Sequence, residues 1–146
     1  PGVIYAVNGL QPINHRLELK DKGDYFIIDD AFNANYEGFC GALDVLKQFK
    51  LTKIIITPGL IELGNKEDEL NYILGKKIAE VCDYVVLVEI KQTKAMYQAL
   101  KDANYRDENV FVANGFKEGF LHLVNLFKKD FVVLIENDLP DSYGKI

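Results

Sequence analysis

Two acids close an apolar run and amides follow them: Tyr25, Phe26, Ile27 and Ile28 lead into Asp29 and Asp30, then Asn33 and Asn35 precede a helix expected from about Glu37. Carboxylates beside amides make an acceptor-rich edge. It suits ribose hydroxyls, an adenine amino group or a substrate ammonium, and it repels bare phosphates. The same residue types also shape strand-to-helix turns and cap helices, so this stretch has a purely architectural reading as well. Asp30 itself reads as an exposed loop acid, one whose removal should cost little stability.

Other groups add little to a reactive centre. Arg16 is the one cation near this edge by sequence, because it enters the segment expected to pair with residues 25–29. It serves equally as half of a surface ion pair with an acid such as Glu18. His15 is a possible general base or phosphate donor, whereas His122 lies between apolar helix positions and is expected at the surface. No Ser-His-Asp or Cys-His set and no pair of histidines for a metal can be assembled. The chain lacks G-x-x-x-x-G-K-[ST] and G-x-G-x-x-G, and Gly75-Lys76-Lys77 falls inside an expected helix. A nucleotide held here would have its phosphates gripped elsewhere.

The elements that must position these residues alternate regularly. An alternating piece over 13–19 and the run 25–29 form an expected antiparallel hairpin around Gly23. Further strands are expected at 53–57, a buried one, at 84–88, an apolar one, and at 109–112 and 131–135. Helices are expected over 37–49, from Asn65 (with Asp68, a capping box) to Val81, over 93–103, and after Asn114-Gly115 with Phe116, Phe120, Leu123, Val124 and Phe127 as the buried stripe. The result is a three-layer, Rossmann-like α/β domain: about six strands, mostly parallel, with one antiparallel edge strand from the amino-terminal hairpin. Right-handed crossovers then put the strand ends on one edge, collecting Asp29, Asp30, Glu136 and Asp138 with Asn33, Asn35, Asn114 and Asn137.

Composition narrows the class. At 146 residues, 49% of them hydrophobic, the chain is one domain that needs no metal or disulfide to hold a core. A formal net charge of −5, from 17 basic and 22 acidic residues, lacks the basic footprint of a nucleic-acid binder and disfavours anionic membranes. No apolar run is long enough to span a bilayer, and no signal peptide is expected. Cys40 and Cys82 have neither redox nor zinc spacing, so a reduced, cytoplasmic protein is expected. Residues 1–12, opening on Pro-Gly, read as a connector from something missing, with the domain proper at 13–146. A phospho-accepting receiver domain shares the acidic strand end but needs a later acceptor aspartate and a lysine. The corresponding ends here are Thr57, Glu89, Asn114 and Glu136.

Three ordered motifs carry a resemblance. Pro12-Ile13-Asn14-His15-Arg16-Leu17-Glu18-Leu19, Ile28-Asp29-Asp30-Ala31-Phe32-Asn33-Ala34-Asn35 and Ile56-Thr57-Pro58-Gly59-Leu60-Ile61-Glu62-Leu63-Gly64 together resemble the carboxy-terminal domain of bacterial Mur ligases. Within that family the chain looks most like the branch adding D-alanyl-D-alanine to UDP-N-acetylmuramoyl-tripeptide, and the ending Glu136-Asn137-Asp138-Leu139-Pro140-Asp141-Ser142-Tyr143 looks similar to part of that branch. The resemblance implies the last domain of a three-domain, ATP-dependent ligase of peptidoglycan synthesis, cytoplasmic and inactive alone. Its partners would be its own central and amino-terminal domains, the UDP-muramoyl peptide and the dipeptide, with Mg2+ bound mainly by the missing central domain. Carried over residue by residue, it implies that Asp30 meets the ATP ribose, Arg16 lies near the phosphates with His15 beside it, and Asn33 and Asn35 line the nucleotide. Asn35 and Gly59 would contact the incoming dipeptide. Tyr36 stands where the pattern usually has proline, Asn71 where many members have histidine, and Glu136-Asn137-Asp138 where many have a Lys-Gly-Ser segment. The alternatives are a Mur-type ligase for another amino acid, or a non-catalytic paralogue that binds nucleotide or a partner.

Overall fold

The computed structural model of the chain describes residues 17–30, 35–61 and 64–137. Strands β1 (Glu18–Asp21) and β2 (Tyr25–Asp30) open it, followed by α1 (Tyr36–Lys47), β3 (Thr52–Thr57), α2 (Glu67–Val81), β4 (Tyr84–Val88), α3 (Ile90–Asp102), β5 (Val110–Ala113), α4 (Phe116–Phe127) and β6 (Phe131–Glu136). They build a six-stranded sheet in the order β1-β2-β6-β3-β4-β5. Every pairing is parallel except β1 with β2, the expected hairpin.

The sequence character of each strand matches its place. β4 and β6 are buried at every residue, as strands covered on both faces must be. β1 and β5, at the two edges, keep exposed positions. Side chains alternate between two cores. Ile28, Ile55, Leu87, Val132 and Leu134 pack against Phe39, Leu43 and Leu46 of α1, Leu74 and Ile78 of α2, and Met96 and Leu100 of α3. On the other face Ile27, Ile54, Ile56, Val86, Val133 and Ile135 meet Phe116 and Leu123 of α4, with Phe120, Val124 and Phe127 alongside. Three helices on one face and one on the other complete the three layers. The helices on the crowded face come close: a Cβ on Gly75 of α2 would lie 2.7 Å from the Met96 carbonyl oxygen of α3.

The structure departs from the expected elements in a few places. Asn65 does not head a capping box; it sits in a 3-10 turn, Gly64–Lys66, and α2 starts at Glu67 with no side-chain cap. The acids Glu67, Asp68 and Glu69 still occupy the first turn, where the helix dipole favours them. α3 starts three residues earlier than its periodicity suggests, because Glu89, at φ 70°, turns the chain directly from β4 into the helix. His122 is half-buried rather than at the surface. Its ring stacks on Phe111 at 3.7 Å, and its Nε2 lies 2.8 Å from the Tyr84 hydroxyl. Both cysteines are free, and burial pushes the Cys82 thiol far up, which leaves it an inert packing group.

Candidate functional site

The carboxyl ends of β2, β6 and β3 lie side by side, and polar residues enter the core there. Adjacent residues of a strand face opposite ways, so Asp29 and Asp30 do not act as a pair. Asp29 points to the α4 side and forms an ion pair with Lys20 of β1, Nζ to Oδ2 3.0 Å. Asp30 points to the α1 side as the last residue of β2, register partner of Glu136 on β6. Both are 0% exposed. The expectation of an exposed loop acid at Asp30 is therefore corrected: Asp30 is the last residue of β2 and is fully buried.

Glu136 was expected at the open edge, and it too is inside. Among the described residues, neither of its carboxylate oxygens meets an N–H or hydroxyl donor. Burial, reinforced by the neighbouring Asp30 carboxyl and by Cys40 of α1, pushes it well above the usual carboxylate range. Asn137 follows in the left-handed backbone region at φ 77° and ties the strand ends together. Its backbone N–H donates to the Asp30 carbonyl at 3.2 Å, and its side-chain amide donates to the Gly59 carbonyl. Gly59, at φ 80°, donates its own N–H to Thr57 Oγ1 at 3.0 Å. A Cβ here would require the left-handed conformation and would stand 3.0 Å from Asn71 Oδ1.

Asn71 holds the next residue. Its Oδ1 accepts from the Leu60 N–H at 2.8 Å, and its Nδ2 donates to the Leu60 carbonyl at 3.0 Å. This clamp is a feature that reading the motifs missed, though the helical phase carried the signal: Asn71, Leu74, Gly75 and Ile78 form the buried stripe of α2 at three- and four-residue intervals. Asn35 serves as a helix cap. It is the N-cap of α1, with Oδ1 accepting from the Gly38 N–H at 2.6 Å.

The structure thus brings Asp30 and Gly59 together through Asn137, with Asn35 at the head of the helix above them. Asn114 shares the sheet edge but follows β5, which three strands separate from β2, a distance of about 19 Å at the usual strand spacing. His15, Arg16, Asn33 and Asp138 lie outside the described residues. Among the described residues, no group of three or more histidine, cysteine, aspartate or glutamate side chains is set to hold a metal ion. For a nucleotide, Asp30 has the acceptor chemistry that a ribose hydroxyl takes, but not the access. In this arrangement it is enclosed, and both backbone polar groups of Gly59 are already bonded within the chain.

Comparison with known proteins gives this edge a context. The crystal structure of a MurF ligase from Thermotoga maritima in complex with ADP superposes with a TM-score of 0.69 at 22% identity, over 89% of this chain and 29% of that one. A MurF structure from Acinetobacter baumannii gives 0.71 at 23% identity, over 89% of this chain and 28% of that one. Such likeness establishes the shared fold, and the chain spans less than a third of those ligases. Nothing among curated protein sequences matches it. The family model for "Mur ligase, glutamate ligase domain" matches residues 15–136, from the segment ahead of β1 to the buried glutamate that ends β6. That match spans the whole sheet, and on it the chain belongs to the Mur ligase family as its carboxy-terminal, glutamate ligase domain.

Proposed function

We propose that this chain is the last domain of an ATP-dependent ligase that adds D-alanyl-D-alanine to UDP-N-acetylmuramoyl-tripeptide in the cytoplasm, with residues 1–12 leading in from a central domain. The observation that supports it most is the family match over residues 15–136 joined to a fold shared with MurF ligases, one of them solved with ADP. An acceptor-rich strand edge without a phosphate loop fits a divided site, in which this domain offers the sugar and amine side. ATP and Mg2+ supply, when bound, activation of the substrate carboxylate as an acyl phosphate, with the metal and phosphates held mainly by the central domain. This chain's part is to hold and enclose. Asp30 and Arg16 are the residues proposed toward the nucleotide, with His15, Asn33 and Asn35 around them and Gly59 toward the dipeptide. Amide formation of this kind is limited by positioning and charge neutralisation, which closure of a lid domain provides. Asp30 reaches a ribose only when the cover over it opens.

The test is turnover by the full-length protein with UDP-N-acetylmuramoyl-tripeptide, ATP and Mg2+, offered one amine at a time. Release of ADP dependent on D-alanyl-D-alanine is the expected result. Turnover with a different amino acid would make it a Mur-type ligase of other specificity, and no turnover with any amine would make it a non-catalytic paralogue.

A further inference from the structure

Glu136 and Asp30 end adjacent parallel strands as register partners, point to the same face of the sheet, and are both fully enclosed. Among the described residues, the titratable groups facing Glu136 are Asp30 from β2 and Cys40 from α1, and no lysine or arginine forms an ion pair with it. Among the described residues no N–H or hydroxyl reaches either Glu136 oxygen; the polar group beside it is another carboxyl. Two ionised carboxylates are acceptors only and repel each other, so such a contact is satisfied only when one of them carries a proton.

We propose that Glu136 is a positioning residue for Asp30: as the neutral acid it donates its one O–H to the Asp30 carboxylate, and the pair presents a single shared charge at the strand ends. Glu136 is the proton holder because both of its oxygens lack a donor among the described residues while Asp30 and Cys40 crowd it, in line with the direction in which burial moves it. The proton fixes the Asp30 carboxylate in one orientation under α1 and spares the core a second buried charge. That Asp30 so held then meets a nucleotide rests on the function proposed above; the shared proton does not.

The consequence for pH has a definite sign. Glu136 in the folded chain lies above its ordinary value of 4.5, so the stability it contributes is full below that value and is lost as pH rises through the folded one. Glu136→Gln keeps a donor toward Asp30 and has no proton to lose. Thermal unfolding of this chain should therefore show the variant gaining on the wild type as pH is raised from about 4.5 toward 9. Glu136→Ala should be the less stable of the two variants at every pH. Parallel curves for wild type and Glu136→Gln would overturn the shared proton.

In the full-length protein, Glu136→Ala should raise KM for ATP roughly tenfold with kcat little changed, while Glu136→Gln holds KM near the wild-type value. Asp30→Asn separates the two claims. If it raises the KM for ATP and Glu136→Ala does not, the positioning role is wrong and the nucleotide reading stands. If Asp30→Asn leaves KM unmoved, the nucleotide reading fails and takes the positioning role with it, whereas the unfolding curves still decide the shared proton.

Discussion

At the residue scale, the site is built from polar side chains that satisfy backbone groups inside the core. Asn71 is the clearest case, because it alone pairs both the N–H and the carbonyl of Leu60, itself 0% exposed. Asn71→Ala leaves both groups buried without partners, and urea unfolding should show a loss of about 2–4 kcal/mol. Asn71→His, the residue many family members carry, preserves at most one of the two bonds in its neutral form and should fall between. Asp30 shows why residue types alone mislead. An acid after an apolar run reads as a loop residue, yet β2 runs two positions past its last apolar residue, Ile28, and draws the Asp30 carboxylate inside. Glu136 is likewise drawn inside on β6. A strand's last residue is fixed by its ladder partners, which are distant in sequence. The asparagines suit ligand contact and helix capping equally well by type, and the placement of Asn35 against the Gly38 N–H shows the capping use.

At the scale of elements, the chain was largely readable. Apolar runs unbroken by polar residues locate β3, β4 and β6 to within a residue or so, because strands buried on both faces leave no room for alternation. Helix starts were less legible. α2 is preceded by a 3-10 turn that takes Asn65 out of the capping position, and the turn at Glu89 rests on a backbone conformation that no side-chain pattern reveals. The α2–α3 contact yields a prediction of its own. Alanine normally gains about 1 kcal/mol over glycine within a helix. At Gly75 its Cβ would lie 2.7 Å from both the Met96 carbonyl oxygen and the Ala99 Cβ, so the two helices must part. Gly75→Ala should be destabilising by about 1–3 kcal/mol in denaturant melts, the opposite sign to propensity.

At the scale of the whole molecule, the strand order decides how the two halves cooperate. β2 and β3 follow each other through α1 but are not hydrogen-bonded to one another; β6 lies between them and pairs with both. A chain truncated after Asp130 should accordingly lose cooperative thermal unfolding, whereas deletion of β1, which pairs on one side only, should lower the melting temperature and keep the transition sharp. Circular dichroism melts of the two truncations check both outcomes. The same arrangement bears on synthesis. While Phe131 to Glu136 are still inside the ribosome, the nascent chain holds a hairpin with its helix on one side and the β3–β4–β5 unit on the other, with no ladder to join them and Ile27, Ile28 and Ile54 to Ile56 open to solvent. Emergence of β6 seals that seam, so the interval of synthesis before it appears, and not the finished molecule, is when this sheet offers open strand edges to mispairing.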